Sequence, residues 1–150
     1  RPKFQVSMTL LEVSKAGYKG RKNKKGFYQY DENGKKQPKV DSEIYKFYGG
    51  NNRKQFDAEM IHLRCAMAMV NEAALCLQEG IISSPLDGDI GAVFGLGFPP
   101  FRGGPFRYID SLGAAKTVDI LNDLASKYGE RFDPAQILID YAKAGKKFYA

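Results

Sequence analysis

The sequence has few of the residues from which metal and redox sites are built. Its 150 residues include one histidine, His62, and two cysteines. One imidazole forms no metal-ligand cluster, so we expect no metal and interpret His62 as a solvated helix-face residue, not a catalytic one. Cys65 and Cys76 share one predicted helix, about 16 Å apart at 1.5 Å per residue, which is too far for a disulfide. We expect two buried thiols in a reducing compartment.

Several longer patterns are also missing. No hydrophobic run is long and apolar enough to predict a membrane span, and the start of the chain does not resemble a secretory signal. No glycine-rich G-x-G-x-x-G turn follows a strand, which argues against a dinucleotide site. No segment alternates as a half-buried strand does. The predicted fold class is therefore all-α.

Positive charge is present but unevenly placed. The net charge is +6. Residues 1–56 carry 14 Lys or Arg against five Asp or Glu, and the remainder carries nine against 12. The basic front segment indicates either a solvated surface or a phosphate-binding one. A nucleic-acid-binding module is the alternative function, with Lys19–Lys25 and Lys35–Lys39 interleaved with Tyr18, Phe27, Tyr28 and Tyr30.

The rest of the chain is organised around the stretch 84–107, which combines six glycines and four prolines with apolar residues. A disordered linker would lack that apolar surface, so we expect this stretch to be packed. Ser84 is a predicted N-cap, Pro85 the first helical residue and Asp87 the third. The helix should stop near Gly95 or Gly97.

The longest predicted helix runs from Ala58 to about Glu79 and is capped by Asp57. Its apolar stripe is wide enough to make it a core helix. Asn71 and Glu72 form a polar pair on that helix, which is costly unless hydrogen-bonded. We expect them to tether the loop at 97–107; direct contact with a ligand is the alternative.

Shorter helices are predicted on either side. One spans Gln5–Ala16, one runs to about Tyr128 with Asp110 or Ser111 as its cap, and a last one runs from Asp133-Pro134 to Gly145. The two ends of the chain share a pattern: an apolar helix, Lys-Ala-Gly, a lysine-rich turn and Phe-Tyr. This repeat predicts the tail of one helical unit followed by a whole second unit, in a fragment of a longer protein.

Three segments resemble a known family. They are GRKNKKGFYQY (Gly20–Tyr30), MVNEAALCLQEGI (Met69–Ile81) and DGDIGAVFGLGFPPFRGGPFRYIDSLGA (Asp87–Ala114). They are similar to the C-terminal part of the fatty acid oxidation complex alpha subunits, which combine enoyl-CoA hydratase and 3-hydroxyacyl-CoA dehydrogenase activities. The long GFPPFRGGPFR motif makes the resemblance specific.

The resemblance implies a parent with a crotonase-like domain, a Rossmann domain for NAD and two tandem helical dehydrogenase C-terminal domains. Residues 1–30 would be the tail of the first helical unit, 31–56 a linker that partly docks, and 57–150 the second unit. This chain would contain no catalytic and no cofactor-binding residue, because the family's His-Glu pair lies in the Rossmann domain. It would brace the substrate cleft and be inactive alone.

The resemblance also carries two residues over. The family's substrate-contacting asparagine matches Leu63 in this second unit, which marks the unit as a degenerate copy. A substrate-contacting tyrosine of the aerobic bacterial type matches Phe94, so Phe94 is the predicted substrate-binding residue, without a hydroxyl to donate. The implied partners are a fatty acyl-CoA substrate, the thiolase beta subunit and a possible second copy, in a bacterial cytoplasm.

Overall fold

The computed structural model describes residues 7–149, and its contacts divide the chain into two units, Arg1–Gln55 and Phe56–Ala150. The first unit begins with helix α1, Met8–Lys15, whose N-terminus is capped by Ser7. The predicted start of this helix at Gln5 lies outside the described residues. Gly17 follows with a φ of +82°, so the helix ends at a left-handed glycine as predicted.

The first unit also contains two short strands, contrary to the prediction of no strands. Strand β1, Tyr28–Tyr30, pairs antiparallel with β2, Lys36–Val40. Both strands are largely exposed and neither alternates, so the period-two pattern that indicates a strand is missing. A 3-10 helix, Ser42–Tyr48, follows behind the Asp41 cap and buries Ile44 against Val13 and Tyr18. The segment interpreted as a docking linker thus contributes a strand and a helical turn.

The second unit is helical. Helix α2 spans Ala58–Gln78, α3 Pro85–Gly91, α4 Pro105–Leu112, α5 Ala114–Tyr128 and α6 Gln136–Ala144. A π-helix, Ala92–Leu96, extends α3, and 3-10 turns occupy Pro100–Arg102 and Glu130–Phe132. The core includes these fully buried side chains: Met67, Val70, Phe106, Ile109, Leu121, Leu124 and Leu138. The all-α prediction is confirmed, with the small strand pair as an addition.

Helix α2 begins where the sequence predicts, because Asp57 Oδ2 accepts a hydrogen bond from the Met60 backbone N–H at 3.2 Å. By length and composition alone, this 21-residue helix could cross a membrane, with a mean hydropathy of 1.3. That finding corrects the expectation that no such run exists. Here α2 is the core helix of its unit and packs against α3, α4 and α6.

Two predicted helix starts are wrong. Asp110 and Ser111 lie in the last turn of α4, and the next helix begins at Ala114 behind Gly113, which has a φ of +88°. Helix α6 begins at Gln136, two residues after the predicted Asp133-Pro134 start. Asp110 is no cap of α5, because its carboxylate is engaged with the distant Phe148-Tyr149 segment.

Candidate functional site

A buried carboxylate fixes the loop between α3 and α4. Asp89, only 3% exposed, accepts hydrogen bonds from the backbone N–H of Phe106 at 2.7 Å and of Arg107 at 3.3 Å. These N–H groups belong to the first turn of α4, where they have no partner within the helix. The Tyr149 hydroxyl donates a third bond to Asp89 at 2.6 Å. Asp89 therefore caps α4 from a neighbouring helix, a role that its place in the sequence does not reveal.

The loop approaches Asp89 so closely that only glycine fits at position 104. A Cβ built on Gly104 would overlap the Cβ, Cγ and Oδ1 atoms of Asp89, and Gly104 has a φ of +116°. That backbone conformation is rare for residues with a side chain. The glycine of the GGP motif is thus required by the carboxylate that caps the following helix.

The segment Phe148-Tyr149 closes over the same region. Asp110 accepts hydrogen bonds from the backbone N–H groups of Phe148 and Tyr149, both at 2.9 Å. The Phe148 ring stacks on Tyr141 with centroids 4.4 Å apart. The Arg107 guanidinium lies 4.1 Å from the centre of the Tyr149 ring. Partial burial raises the pKa of the Tyr149 phenol above its ordinary value, and the hydrogen bond to Asp89 and the charge of that carboxylate raise it further.

Phe94, the predicted substrate-binding residue, lies in the π-helix and is 86% exposed. Leu86 and Ile90 precede it by eight and four positions and are half-exposed. Phe98, four positions later, is only 2% exposed. The organising stretch therefore turns from a solvent-facing apolar surface at Phe94 to the core at Phe98.

A separate cleft of about 380 Å³ lies between α2 and the loop that follows Phe98. One wall is α2, with Leu63, Ala66 and Met69; the other is the loop at 98–102 together with Tyr108. His62 and Glu59 line the cleft from the first turns of α2 and are exposed. Phe94 does not line it, so the structure does not bring Phe94 and Leu63 to one site.

The position that matches the family's asparagine is apolar and in the cleft wall. Leu63 offers no hydrogen bond there, and the Arg64 guanidinium next to it points to another element, 3.9 Å from the centre of the Tyr128 ring. Glu59, His62 and Cys65 line the cleft from α2, but the matched position itself offers only an apolar side chain. It is a surface for contact with an apolar group.

The residues that the structure describes form neither a metal-binding cluster nor a dinucleotide-binding site. Within residues 7–149, no group of three His, Cys, Asp or Glu side chains is arranged to hold a metal. Cys65 is exposed and Cys76 half-buried, which corrects the expectation of buried thiols, and within the described residues neither forms a disulfide. The strands β1 and β2 are antiparallel neighbours, whereas an NAD site needs a parallel strand, a glycine-rich turn and a helix. These residues do not fit NAD.

Asn71 has a different partner from the predicted one. Its side-chain Nδ2 donates to the Asp133 carbonyl at 2.8 Å, and its Oδ1 accepts from the Ala135 N–H at 2.9 Å. Asn71 thus holds the turn before α6, not the loop at 97–107. The prediction that it tethers a loop was correct in kind and wrong in the loop.

Two of the four aromatic rings proposed for nucleic-acid binding, Tyr18 and Tyr28, lie under lysines of the same unit. Lys25 Nζ lies 4.4 Å and Lys46 Nζ 5.9 Å from the centre of the Tyr18 ring, and Lys36 Nζ lies 4.2 Å from that of Tyr28. These two rings are therefore engaged, whereas base stacking needs open aromatic faces.

Comparison with known proteins agrees with the helical fold and the organising stretch. Residues 60–148 match the family model described as 3-hydroxyacyl-CoA dehydrogenase, C-terminal domain. The chain is 56% identical over 131 residues to the fatty acid oxidation complex subunit alpha of Shewanella amazonensis, covering 87% of this chain and 19% of the relative. It is 47% identical over 148 residues to that of Vibrio cholerae, covering 99% and 21%.

The second unit is thus a helical dehydrogenase C-terminal domain. The chain belongs to the 3-hydroxyacyl-CoA dehydrogenase family, as its motifs predicted. It spans about a fifth of the length of the curated relatives it matches.

Proposed function

We propose that this chain is the C-terminal helical region of a multifunctional fatty acid β-oxidation enzyme that hydrates enoyl-CoA and oxidises 3-hydroxyacyl-CoA with NAD. The observation that carries the proposal is the family match over residues 60–148, together with 47–56% identity to two alpha subunits. In the whole enzyme the region would act as a rigid brace beside the substrate cleft. Its own residues would contact the substrate and exclude water from it. The chemistry would take place in other parts of the enzyme.

The brace role is supported by how tightly the organising stretch is fixed. Asp89 joins α3 to the start of α4 and to Tyr149, and Asp110 holds the backbone of the same C-terminal segment. A wall that positions a substrate needs side chains locked by such second contacts. The apolar surface around Phe94 would then be presented from a rigid helix.

Phe94 would contact the acyl chain or the pantetheine arm of the substrate. Its 86% exposure leaves the ring free to pack against such a group. Burying an aromatic ring supplies contact energy without a specific hydrogen bond. Phe94 would therefore contribute to affinity and not to proton transfer.

The whole enzyme would be a cytoplasmic subunit of a bacterial complex, with a thiolase beta subunit and a second copy of itself as partners. The relatives are named as subunits of a complex and come from bacteria. Neither cysteine forms a disulfide within the described residues, which agrees with a reducing compartment. Fatty acyl-CoA would be the substrate.

The test uses the chain and a chimera. The chain alone, mixed with NAD and 3-hydroxybutyryl-CoA, should produce no NADH, whereas the Shewanella relative carrying this chain in place of its aligned region should. In the chimera, Phe94→Ala should raise KM for a long-chain 3-hydroxyacyl-CoA with kcat nearly unchanged, as loss of uniform binding does. Phe56→Ala, at another exposed phenylalanine, is the matched control.

Three results would contradict the proposal. Turnover by the purified chain would show that it contains catalytic groups. A chimera that is folded but inactive would contradict the proposed brace role. Equal KM values for Phe94→Ala and Phe56→Ala would show that Phe94 does not contact the substrate.

A further inference from the structure

The two units contain the same motif of a helix followed by a short tail. When the two Lys-Ala-Gly triplets are aligned, α1 matches α6 and Leu10 matches Leu138. Each helix is followed by a left-handed glycine, Gly17 with a φ of +82° and Gly145 with a φ of +62°. Such a glycine turns the chain at a helix end. The two segments therefore share backbone geometry as well as sequence.

The lysine-rich turn of the first unit does not disturb this match, because it closes on itself. The Gly20 N–H donates to the Lys25 carbonyl at 2.8 Å, and the Lys25 N–H donates back to the Gly20 carbonyl at 3.2 Å. A Cβ built on Gly26 would lie 3.0 Å from the Gly20 Cα, so the chain returns to the point where the turn began. Phe27-Tyr28 is then the counterpart of Phe148-Tyr149.

In the second unit, the motif lies against a helical body. Helix α6 packs on α2 and α5, and Leu138 is fully buried in their common core. The Phe148 ring packs edge-on against Phe106, with centroids 4.9 Å apart. The Tyr149 hydroxyl donates to the Asp89 carboxylate. The body thus gives the motif an apolar surface and one hydrogen-bond acceptor.

In the first unit, the matching side chains lack this cover. Leu10 is 51% exposed, although its counterpart Leu138 is fully buried, and Phe27 and Tyr28 are also exposed. The Lys36 ammonium lies over the Tyr28 ring, but within residues 7–149 no carboxylate accepts a hydrogen bond from the Tyr28 hydroxyl. Exposed apolar groups that are contiguous mark an interaction surface. The second unit shows what kind of partner covers such a surface.

We infer that α1 and Phe27-Tyr28 form a docking surface for a helical body of the same build as α2–α5. That body would bury Leu10 between its helices and would accept the Tyr28 hydroxyl on a carboxylate. The inference rests on the proposed function, because the body would be another region of the multifunctional enzyme. It adds to that proposal the side chains that make the contact and the chemistry of their partner.

The second unit of another copy is a poor occupant of this surface. Its own body is already covered by its own α6 and by Phe148-Tyr149. Asp110 holds both backbone N–H groups of that segment at 2.9 Å. Docking of α1 there would first require all these contacts to break. A body without a tail of its own is therefore the better partner.

Hydrogen exchange followed by mass spectrometry measures whether the surface is covered. The chain alone is compared with a chimera in which it replaces the aligned region of the Vibrio cholerae relative, since that alignment includes 148 residues. The amides of α1 should exchange at least about tenfold more slowly in the chimera, because docking raises the free energy of local opening. The amides of α6 should change by less than about threefold, because their cover is already present.

Two pairs of variants in the chimera identify the contacts. Leu10→Asp should return α1 to the fast exchange of the chain alone, whereas Leu86→Asp, at a leucine that is 52% exposed in the second unit, should not. Tyr28→Phe keeps the ring and removes the hydroxyl, so it should accelerate exchange in α1 about fivefold in the chimera and not in the chain alone. Tyr48→Phe, at another exposed tyrosine of the first unit, should leave both unchanged.

Three outcomes would overturn the inference. Equal exchange of α1 in the chain and in the chimera would show that the surface stays uncovered. Exchange that becomes slower as the concentration of the chain alone is raised would assign the surface to a second copy. Equal effects of Tyr28→Phe and Tyr48→Phe would show that the Tyr28 hydroxyl has no carboxylate partner.

The proposed function is judged by a different readout of the same chimera. Slow exchange in α1 without dehydrogenase activity would contradict the brace role and support the docking surface. Dehydrogenase activity with fast exchange in α1 would support the proposed function and contradict the docking surface.

Discussion

The Tyr149 hydroxyl donates a hydrogen bond to the Asp89 carboxylate at 2.6 Å, across 60 positions of sequence. Asp89 also receives two backbone N–H groups from α4. The Asp89 side chain therefore joins α3, the start of α4 and the C-terminal segment.

Removing the charge of Asp89 should destabilise the second unit. In Asp89→Asn, the amide nitrogen would face donors where Oδ2 now accepts from Tyr149 and Arg107. We expect a loss of about 2–4 kcal/mol in the free energy of unfolding. Urea unfolding measures it, with Asp119→Asn on the exposed face of α5 as control. Equal stability of the two variants would contradict the capping role.

Gly104→Ala should destabilise the second unit more than an alanine at a glycine of the stretch 84–107 whose Cβ would meet no neighbouring atom. The new Cβ would overlap Asp89, and a φ of +116° is strained for alanine. We expect a loss of about 3 kcal/mol or more. Gly91→Ala is the control: it is helical, has open space around its Cβ, and should gain about 0.5–1 kcal/mol. Similar melting temperatures would show that the close approach is not rigid.

The tether at Asn71 should be measurable in the same way. Asn71→Ala removes one acceptor and one donor from a side chain that is 3% exposed. The Ala135 N–H would remain buried without its acceptor, so we expect a loss of about 2–3 kcal/mol. Asn122→Ala, on an exposed part of α5, should change stability by no more than about 0.5 kcal/mol. Hydrogen exchange at Ala135 would locate the effect, and its absence there would contradict the assignment.

Alkaline pH should weaken the second unit through Tyr149. Its folded-state pKa is raised, whereas the unfolded phenol releases its proton near pH 10. Below that pH both states hold the proton, and above it the unfolded state binds fewer protons, so the free energy of unfolding decreases. Urea unfolding between about pH 9 and pH 12 should show this decrease in the wild type and less of it in Tyr149→Phe. Parallel curves for the two proteins would contradict it.

The basic front segment should not retain nucleic acid. Tyr18 and Tyr28 are already covered by lysines, so base stacking would have to displace them. Proteins that bind nucleic acid non-specifically commonly have a Kd of about 1–100 μM at physiological salt, and bind more tightly in low salt. We nevertheless expect no gel shift of a single-stranded oligonucleotide at about 10 μM protein in low salt. Retardation that decreases steeply with salt would favour the nucleic-acid alternative.

Local sequence was enough to predict much of this fold. Asp57 and Ser84 cap the helices assigned to them, because an N-cap acts on residues two or three positions away. Gly97, with a φ of +77°, ends the π-helix where a stop was predicted. The family motifs gave the correct family, since two of the three, Met69–Ile81 and Asp87–Ala114, lie in the second unit, where the family model matches.

What the sequence did not reveal depends on distant partners. Asp110 resembles an N-cap by position, but it binds Phe148 and Tyr149 nearly forty residues later. Asn71 is satisfied by the turn at 133–135. Arg102 lines a cleft only because α2 lies opposite it in the fold. Such pairings follow from the fold and leave no periodic pattern.

The π-helix at Ala92–Leu96 has a consequence for how this lineage can vary. A π-turn amounts to one extra residue within an α-helix, and each helical residue turns the chain by about 100°. Deleting one residue there would restore an ordinary helix but rotate Phe98 out of its buried position. Natural insertions and deletions should therefore be rarer across these five positions than amino-acid replacements, even though Phe94 and Leu96 face the solvent.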